Sequence, residues 1–397
     1  MSKLLIAHGG GPTAVINASL WGAVTQALGS RQVDGVWGAV HGSAGILKEE
    51  FVDLGALPES TLEGLLHAPA SAIGTSRTPL YEKEYAQMAE VLQRHDIGYV
   101  LFTGGNGSMD TCGKLNRICK NRGIVVGGIP KTIDNDLEGI DHCPGFGSSA
   151  KYIAASLLEL ERECLVYDTK YVMIVEMMGR NAGWLTAAAA LSAEKGGIPY
   201  LIYLEEQSFS KEQFQKDVEK ALQQSDQVMV AVSEGIKDSN GKFLYTYGRE
   251  EGNKDAFGHS IAGGAGGVLE RMILEKMSVK TRSIEFNLLQ RCAGHLLSKT
   301  DVEESFLLGA QAVELAVLGE NGKMSSLRRI SSEQNSSEKS PGQKDSENSN
   351  TEKSPKAGIG YAVEYSAVPL SEVANREKKI PLSWIGKDGH SLEEEAL

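Results

Sequence analysis

Positive charge is in short supply. The chain carries 40 Lys and Arg against 52 Asp and Glu, a net charge of −12. That balance argues against nucleic acid or an anionic membrane as the main partner. It leaves room for a small anionic substrate, because a few arginines in one cleft invert the local field. Long apolar runs are also missing. No stretch of about 18 apolar residues occurs, so no helical membrane span is expected. The amino-terminal Met-Ser-Lys leads straight into a strand with no charged leader or cleavage signal, and the cytoplasm is the expected location. Only five cysteines occur, an odd number with no zinc-site spacing, and they read as buried reduced thiols. Neither a Walker A loop nor a Gly-x-Gly-x-x-Gly with a later ribose-binding acid is present. The second absence weighs against a nicotinamide-dependent dehydrogenase.

What the chain does have is glycine, 45 of its 397 residues, with many copies directly after apolar runs. That pattern predicts tight strand-to-helix turns. Strands are expected at 3–8, 33–40, 99–102, 124–129, 172–176, 199–203 and 228–232, with helices at 14–28 and 182–191. Their alternation predicts an α/β protein: two similar Rossmann-like lobes with mainly parallel sheets and a cleft between them. Residues 325–357 are rich in Ser, Glu, Lys and Asn with almost no large apolar residue. They read as a disordered insertion, with Arg328-Arg329-Ile330-Ser331 as part of a solvated loop. A packed carboxyl-terminal tail, 358–397, follows.

The most informative run is Pro130-Lys-Thr-Ile-Asp-Asn-Asp136, directly after the strand at 124–129. Open α/β sheets bind ligands at the carboxyl ends of strands. Lys131 can neutralise a phosphoryl group. One carboxylate can take a proton from a hydroxyl, and the other can hold a divalent cation. Other strand ends repeat the theme: Gly9-Gly-Gly11, Gly104-Gly-Asn-Gly-Ser108, Met178-Gly-Arg-Asn181 and Glu234-Gly235. Arg77 follows Gly74-Thr75-Ser76. Arg282 and Arg291 lie in a mainly neutral stretch, where an arginine needs an anionic partner.

These pieces, in this order over nearly the whole ordered chain, resemble the phosphofructokinase family. Pro130–Asp136 and Glu176-Met-Met-Gly-Arg180 are its most specific strings. The resemblance implies a glycolytic phosphoryl transfer to O1 of fructose 6-phosphate, in the cytoplasm, by a homodimer or homotetramer that uses Mg2+. It implies that Asp134 is the base, with Lys131 and Arg180 acting on the moving phosphoryl group. Thr132, Ile133, Met178, Gly179 and Arg180 would line the sugar side, and Glu234 would bind sugar hydroxyls. Arg282, from a neighbouring subunit, and Arg291 would hold the 6-phosphate. Gly11, Arg77, Gly107 and Ser108 would contact the donor, and Asn106 and Asp136 would orient the metal. It further implies a donor-binding lobe of 1–140 plus about 262–310. The sugar-phosphate lobe would be 141–261 plus part of the carboxyl-terminal region.

The chain departs from the family pattern in three places. Asn106 stands where many members have Asp, Tyr171 where an arginine is usual, and Leu288 where many bacterial members have His. A relative that binds sugar phosphate without catalysis is disfavoured, because Asp134 and Asp136 are both retained. For the donor, Gly107 leaves the site open where pyrophosphate-dependent members carry a blocking Asp, while Lys131 matches those members. ATP is the expected donor, with diphosphate as the alternative.

Overall fold

In a computed structural model, residues 2–248, 264–330 and 361–396 are described. The strands in chain order are β1 (Ser2–His8), β2 (Val33–Ala39), β3 (Phe51–Asp53), β4 (Ile97–Gly104), β5 (Val125–Pro130), β6 (Tyr171–Met177), β7 (Tyr200–Tyr203), β8 (Ser208–Phe209), β9 (Gln227–Ser233), β10 (Lys237–Asp238), β11 (Lys280–Glu285), β12 (Lys323–Ile330) and β13 (Ala362–Pro369). Two main sheets form. One has seven strands in the order β13-β12-β5-β4-β1-β2-β3, and the other has four in the order β11-β6-β9-β7. The smaller sheet is wholly parallel. The larger is parallel except at its edges, where β13 and β3 run antiparallel. The chain therefore has the expected mixed α/β fold with mostly parallel sheets.

Side-chain alternation explains why both sheets are covered on both faces. In β1, Leu5 and Ala7 pack with Met88 and Leu92 of the helix Glu82–Arg94. Leu4 and Ile6 point the other way, onto Leu20 and Val24 of the helix Ile16–Gly29 and Val313 of the helix Lys299–Val317. Those last two helices meet closely because Gly22 and Gly309 carry no side chain. A Cβ at either would collide with a backbone carbonyl, that of Phe306 or Ser19. In β6, Met173, Val175 and Met177 face the helix Phe146–Cys164, while Val172 and Ile174 face a cluster with Phe214 and Leu269.

The helical stretch expected at 182–191 forms as two short helices, Trp184–Ala187 and Ala189–Lys195. Three expectations need correcting. Residues 325–330 do not open the insertion. They complete β12, whose Met324, Ser325, Ser326 and Leu327 are buried, and Arg328 pairs with Glu364 across the β12–β13 ladder. The remainder, 331–357, lies outside the described residues. Second, the region around 262–310 does not go as a block with the first sheet. β11 pairs with β6, so Lys280–Glu285 is an edge strand of the smaller sheet, and the helix Lys299–Val317 returns to the larger one. β13, inside the expected carboxyl-terminal tail, is likewise a strand of the larger sheet. Third, Cys292 is exposed, whereas Cys112, Cys119, Cys143 and Cys164 are buried thiols as read. No helix among the described residues is long and apolar enough to cross a membrane.

Candidate active site

The glycine-linked turns after β1, β4, β5, β6 and β9 converge on one open cavity of about 580 Å3. It is lined by Gly11, Arg77, Asn106, Gly107, Ser108, Lys131, Thr132, Ile133, Asp134, Asp136, Met178, Arg180, Glu234 and Arg291. Parallel strands explain the gathering, since every turn at the carboxyl edge of a sheet faces the same way. Gly179 sits beside these residues at φ +122°, a conformation open to glycine. Its N–H donates to Glu234 Oε1 at 3.3 Å, and its carbonyl accepts from Ser233 Oγ at 2.8 Å. The turns after β6 and β9 are thereby joined.

The loop after β5 carries the acids. Lys131 N–H donates to the Gly104 carbonyl at 3.1 Å, tying this loop to the turn after β4. Asp134 N–H donates to Thr132 Oγ1 at 3.2 Å. Oδ1 of Asp134 is buried with no hydrogen-bond partner among the described residues, and burial plus the neighbouring Asp136 raises this carboxyl to about 7. Burial, then the charge of Asp134, also raises Glu234 to about 7. Asp136 is raised chiefly by burial. Its Oδ2 accepts from Asn106 Nδ2 at 3.1 Å, which leaves Asp136 Oδ1 and Asn106 Oδ1 buried and unpartnered among the described residues. Two bare hard oxygens on hydrogen-bonded neighbours suit a divalent cation.

Cations cluster in the same cavity. Lys131 is buried, its Nζ donates to the Gly11 carbonyl at 2.6 Å, and burial lowers it to about 8. A Cβ on Gly11 would collide with the Arg291 guanidinium and lie 3.6 Å from Arg77 Nη2. Arg291 is lowered by burial and then by Arg77. None of these three cations forms an ion pair with a carboxylate among the described residues. Such a concentration of unpaired positive charge is a seat for a polyanion. The helix Asn106–Cys119 opens onto the same space, so its first-turn N–H groups add to the attraction.

Arg282 is not part of this cavity. It lies exposed on edge strand β11. Asn17 is also elsewhere, holding Ala68 and Ala72 by its side-chain amide. Tyr171 is buried, and Leu288 is exposed. His8 is a lining residue that the sequence reading missed. Its Nδ1 lies 2.7 Å from Ser71 Oγ, which donates to the Gly74 carbonyl. The imidazole therefore carries its hydrogen on Nδ1. Burial and Lys131 hold it neutral, near 3, and Nε2 has no partner among the described residues. A polar residue directly after the apolar run Leu4–Ala7 was the available signal.

The phosphofructokinase family model matches residues 3–285. The chain is 36% identical over 400 residues to the pyrophosphate--fructose 6-phosphate 1-phosphotransferase of Halomonas elongata, covering 98% of this chain and 88% of that protein. It is 35% identical over 399 residues to the protein of the same name from Methylococcus capsulatus, with the same two coverages of 98% and 88%. Its fold matches the crystal structure of the pyrophosphate-dependent phosphofructokinase from Nitrosospira multiformis with a TM-score of 0.84 at 32% identity, covering 99% of this chain and 89% of that one. These likenesses overturn ATP as the favoured donor. The physical error was to read open space as selection: Gly107 has nothing within 4 Å of where a Cβ would stand, which excludes no donor, whereas Lys131 is a positive feature on the cavity wall. With the family strings on its strand ends and matching relatives along almost its whole length, this chain belongs to the phosphofructokinase family.

Proposed function

We propose that the protein transfers a phosphoryl group from diphosphate to O1 of fructose 6-phosphate, releasing fructose 1,6-bisphosphate and phosphate. The observation that carries this is the gathering of Arg77, Lys131 and Arg291 round Gly11, in no ion pair among the described residues, in the cavity that the Asp134 carboxylate also lines. Asp134 takes the O1 proton as that oxygen attacks the terminal phosphorus. The P–O bond to the second phosphate breaks, and Lys131 neutralises the charge that the leaving phosphate gains. Gly11, Arg77, Gly107 and Ser108 seat the donor. Thr132, Ile133, Met178, Gly179 and Arg180 line the sugar, Glu234 binds its hydroxyls and Arg291 holds its 6-phosphate. Arg282 completes that phosphate site from a second copy of the chain, so activity per subunit falls on dilution below the dimer's dissociation constant. Activity that stays constant to full dissociation removes Arg282 from this role.

Asn106 and Asp136 would hold Mg2+, whose charge would offset that of the phosphoryl oxygens. Their two unpartnered oxygens support that fit. The direct test mixes purified protein, Mg2+, fructose 6-phosphate and diphosphate, and follows fructose 1,6-bisphosphate by a coupled assay. Steady turnover supports the reading, and an unchanged hexose monophosphate pool overturns it.

A further inference from the structure

The acid-bearing loop is held from behind by a segment far away in sequence. Residues 375–380 follow β13 and cross from the first sheet's loops to the second's. At one end Asn375 Nδ2 donates to Asp110 Oδ1 at 3.1 Å, on the helix that opens at Asn106. At the other, Ile380 N–H donates to Glu206 Oε1 at 3.2 Å. Between them Lys378 makes the densest set of contacts. Its N–H donates to the Asp136 carbonyl at 2.8 Å. Its carbonyl accepts from Trp184 Nε1 at 2.8 Å. Its ammonium donates to Asn135 Oδ1 at 3.3 Å, the Ile140 carbonyl at 3.0 Å and the Asp141 carbonyl at 2.7 Å.

Asn135 lies between the two acids and takes a left-handed conformation at φ +54°. Such a residue is held by its surroundings. Its Oδ1 receives Cys143 N–H at 2.9 Å as well as the lysine. Residues 134–141 form no strand or helix, so their shape depends on such outside donors. An ammonium with three tetrahedral donors meets all three loop acceptors at once, which no neutral side chain could do.

We propose that Lys378 is the positioning residue of the acid-bearing loop: it holds residues 134–141 in the shape that aims Asp134 and Asp136 into the cavity, and locks that loop to Trp184 beside the Arg180 turn. The proposal deepens the phosphoryl-transfer reading and rests on it for its kinetic consequence.

The test compares Lys378→Met, Lys378→Arg and Asn135→Gly, the last keeping the left-handed backbone while removing the amide acceptor. Misplacing a reacting group by about 1 Å costs about 100-fold. Lys378→Met should therefore lose roughly that in kcat, with KM for fructose 6-phosphate within about threefold of the parent. Lys378→Arg, which keeps the cation, should recover much of the loss. The double variant with Asn135→Gly should lose less than the product of the single losses. Amide exchange should quicken at 134–141 and not across both sheets. A kcat within about threefold of the parent in Lys378→Met, or additive losses, overturns the proposal. If Lys378→Met does not fold, Asn135→Gly alone decides: a large loss in kcat at unchanged KM supports the role, and an unaltered kcat refutes it. If the parent protein does not use diphosphate, the functional reading fails, while the exchange pattern still reports on the loop anchor.

Discussion

At the residue scale the site is built against its own stability. Asp134 ordinarily loses its proton near 3.8, and in the fold it does so at about 7, because burial disfavours the carboxylate. A raised carboxyl stabilises the fold most, relative to its ionised form, below the unfolded value, and that contribution is lost as pH rises from about 4 to about 7. Asp134→Asn should therefore raise the melting temperature at pH 8, with the gain shrinking towards pH 4. The same change should lower turnover by at least about 100-fold, the scale of a positioned proton acceptor. As the base must be ionised and Lys131, near 8, must stay charged, log kcat/KM for the parent should climb to about pH 7 and fall again above about pH 8. A variant that is both active and no more stable would separate Asp134 from this role. Asn106→Asp should act in the opposite sense. Without metal, a second carboxylate against Asp136 should lower the melting temperature. With metal, the added charge should tighten Mn2+ binding by roughly tenfold, measured by titration. Unchanged affinity would show that position 106 does not face the ion.

At the element scale, the strands were legible and their partners were not. Apolar runs flanked by glycine marked β1, β4, β5, β6 and β9 because a strand buried on both faces must be apolar throughout. β11 escaped notice, since its Lys280-Thr-Arg-Ser-Ile-Glu285 is an edge strand with one side open and alternates polar residues. The start of β12 was absorbed into the polar insertion because Ser325 and Ser326 look like linker residues, yet both are buried against a neighbouring strand and loop. Helix packing offers a clean element-scale test. Gly309 lets the helix Lys299–Val317 lie directly on Ser19 of the helix Ile16–Gly29. Gly309→Ala should cost about 1–3 kcal/mol by overpacking, read from chemical denaturation with the slope unchanged. An unaffected midpoint would mean that the two helices can part at no cost.

At the scale of the whole molecule, the chain closes a cavity between two sheets and then ties its walls together with its own carboxyl-terminal segment. Ile330 and Ala362 are cross-strand neighbours in the β12–β13 ladder, so only a short connection is needed between them. Excising 331–360 and inserting Asn-Gly ahead of Tyr361 makes a three-residue hairpin loop. It should leave kcat within about twofold of the parent. A collapse in activity would assign that segment a role in the site. The amino-acid order by itself determined the acids, cations and glycines of the cavity, because chemistry confined to single strand-end turns is written in contiguous residues. It equally determined the alternating α/β class, through the spacing of apolar runs. Only the tertiary structure decided that Arg77 and Arg291 share Gly11 with Lys131, that Arg282 stands outside the cavity, and that Lys378 braces the acids from more than two hundred positions away. Such contacts follow from which sheet a strand joins, and strand pairing is a long-range choice that local composition does not encode.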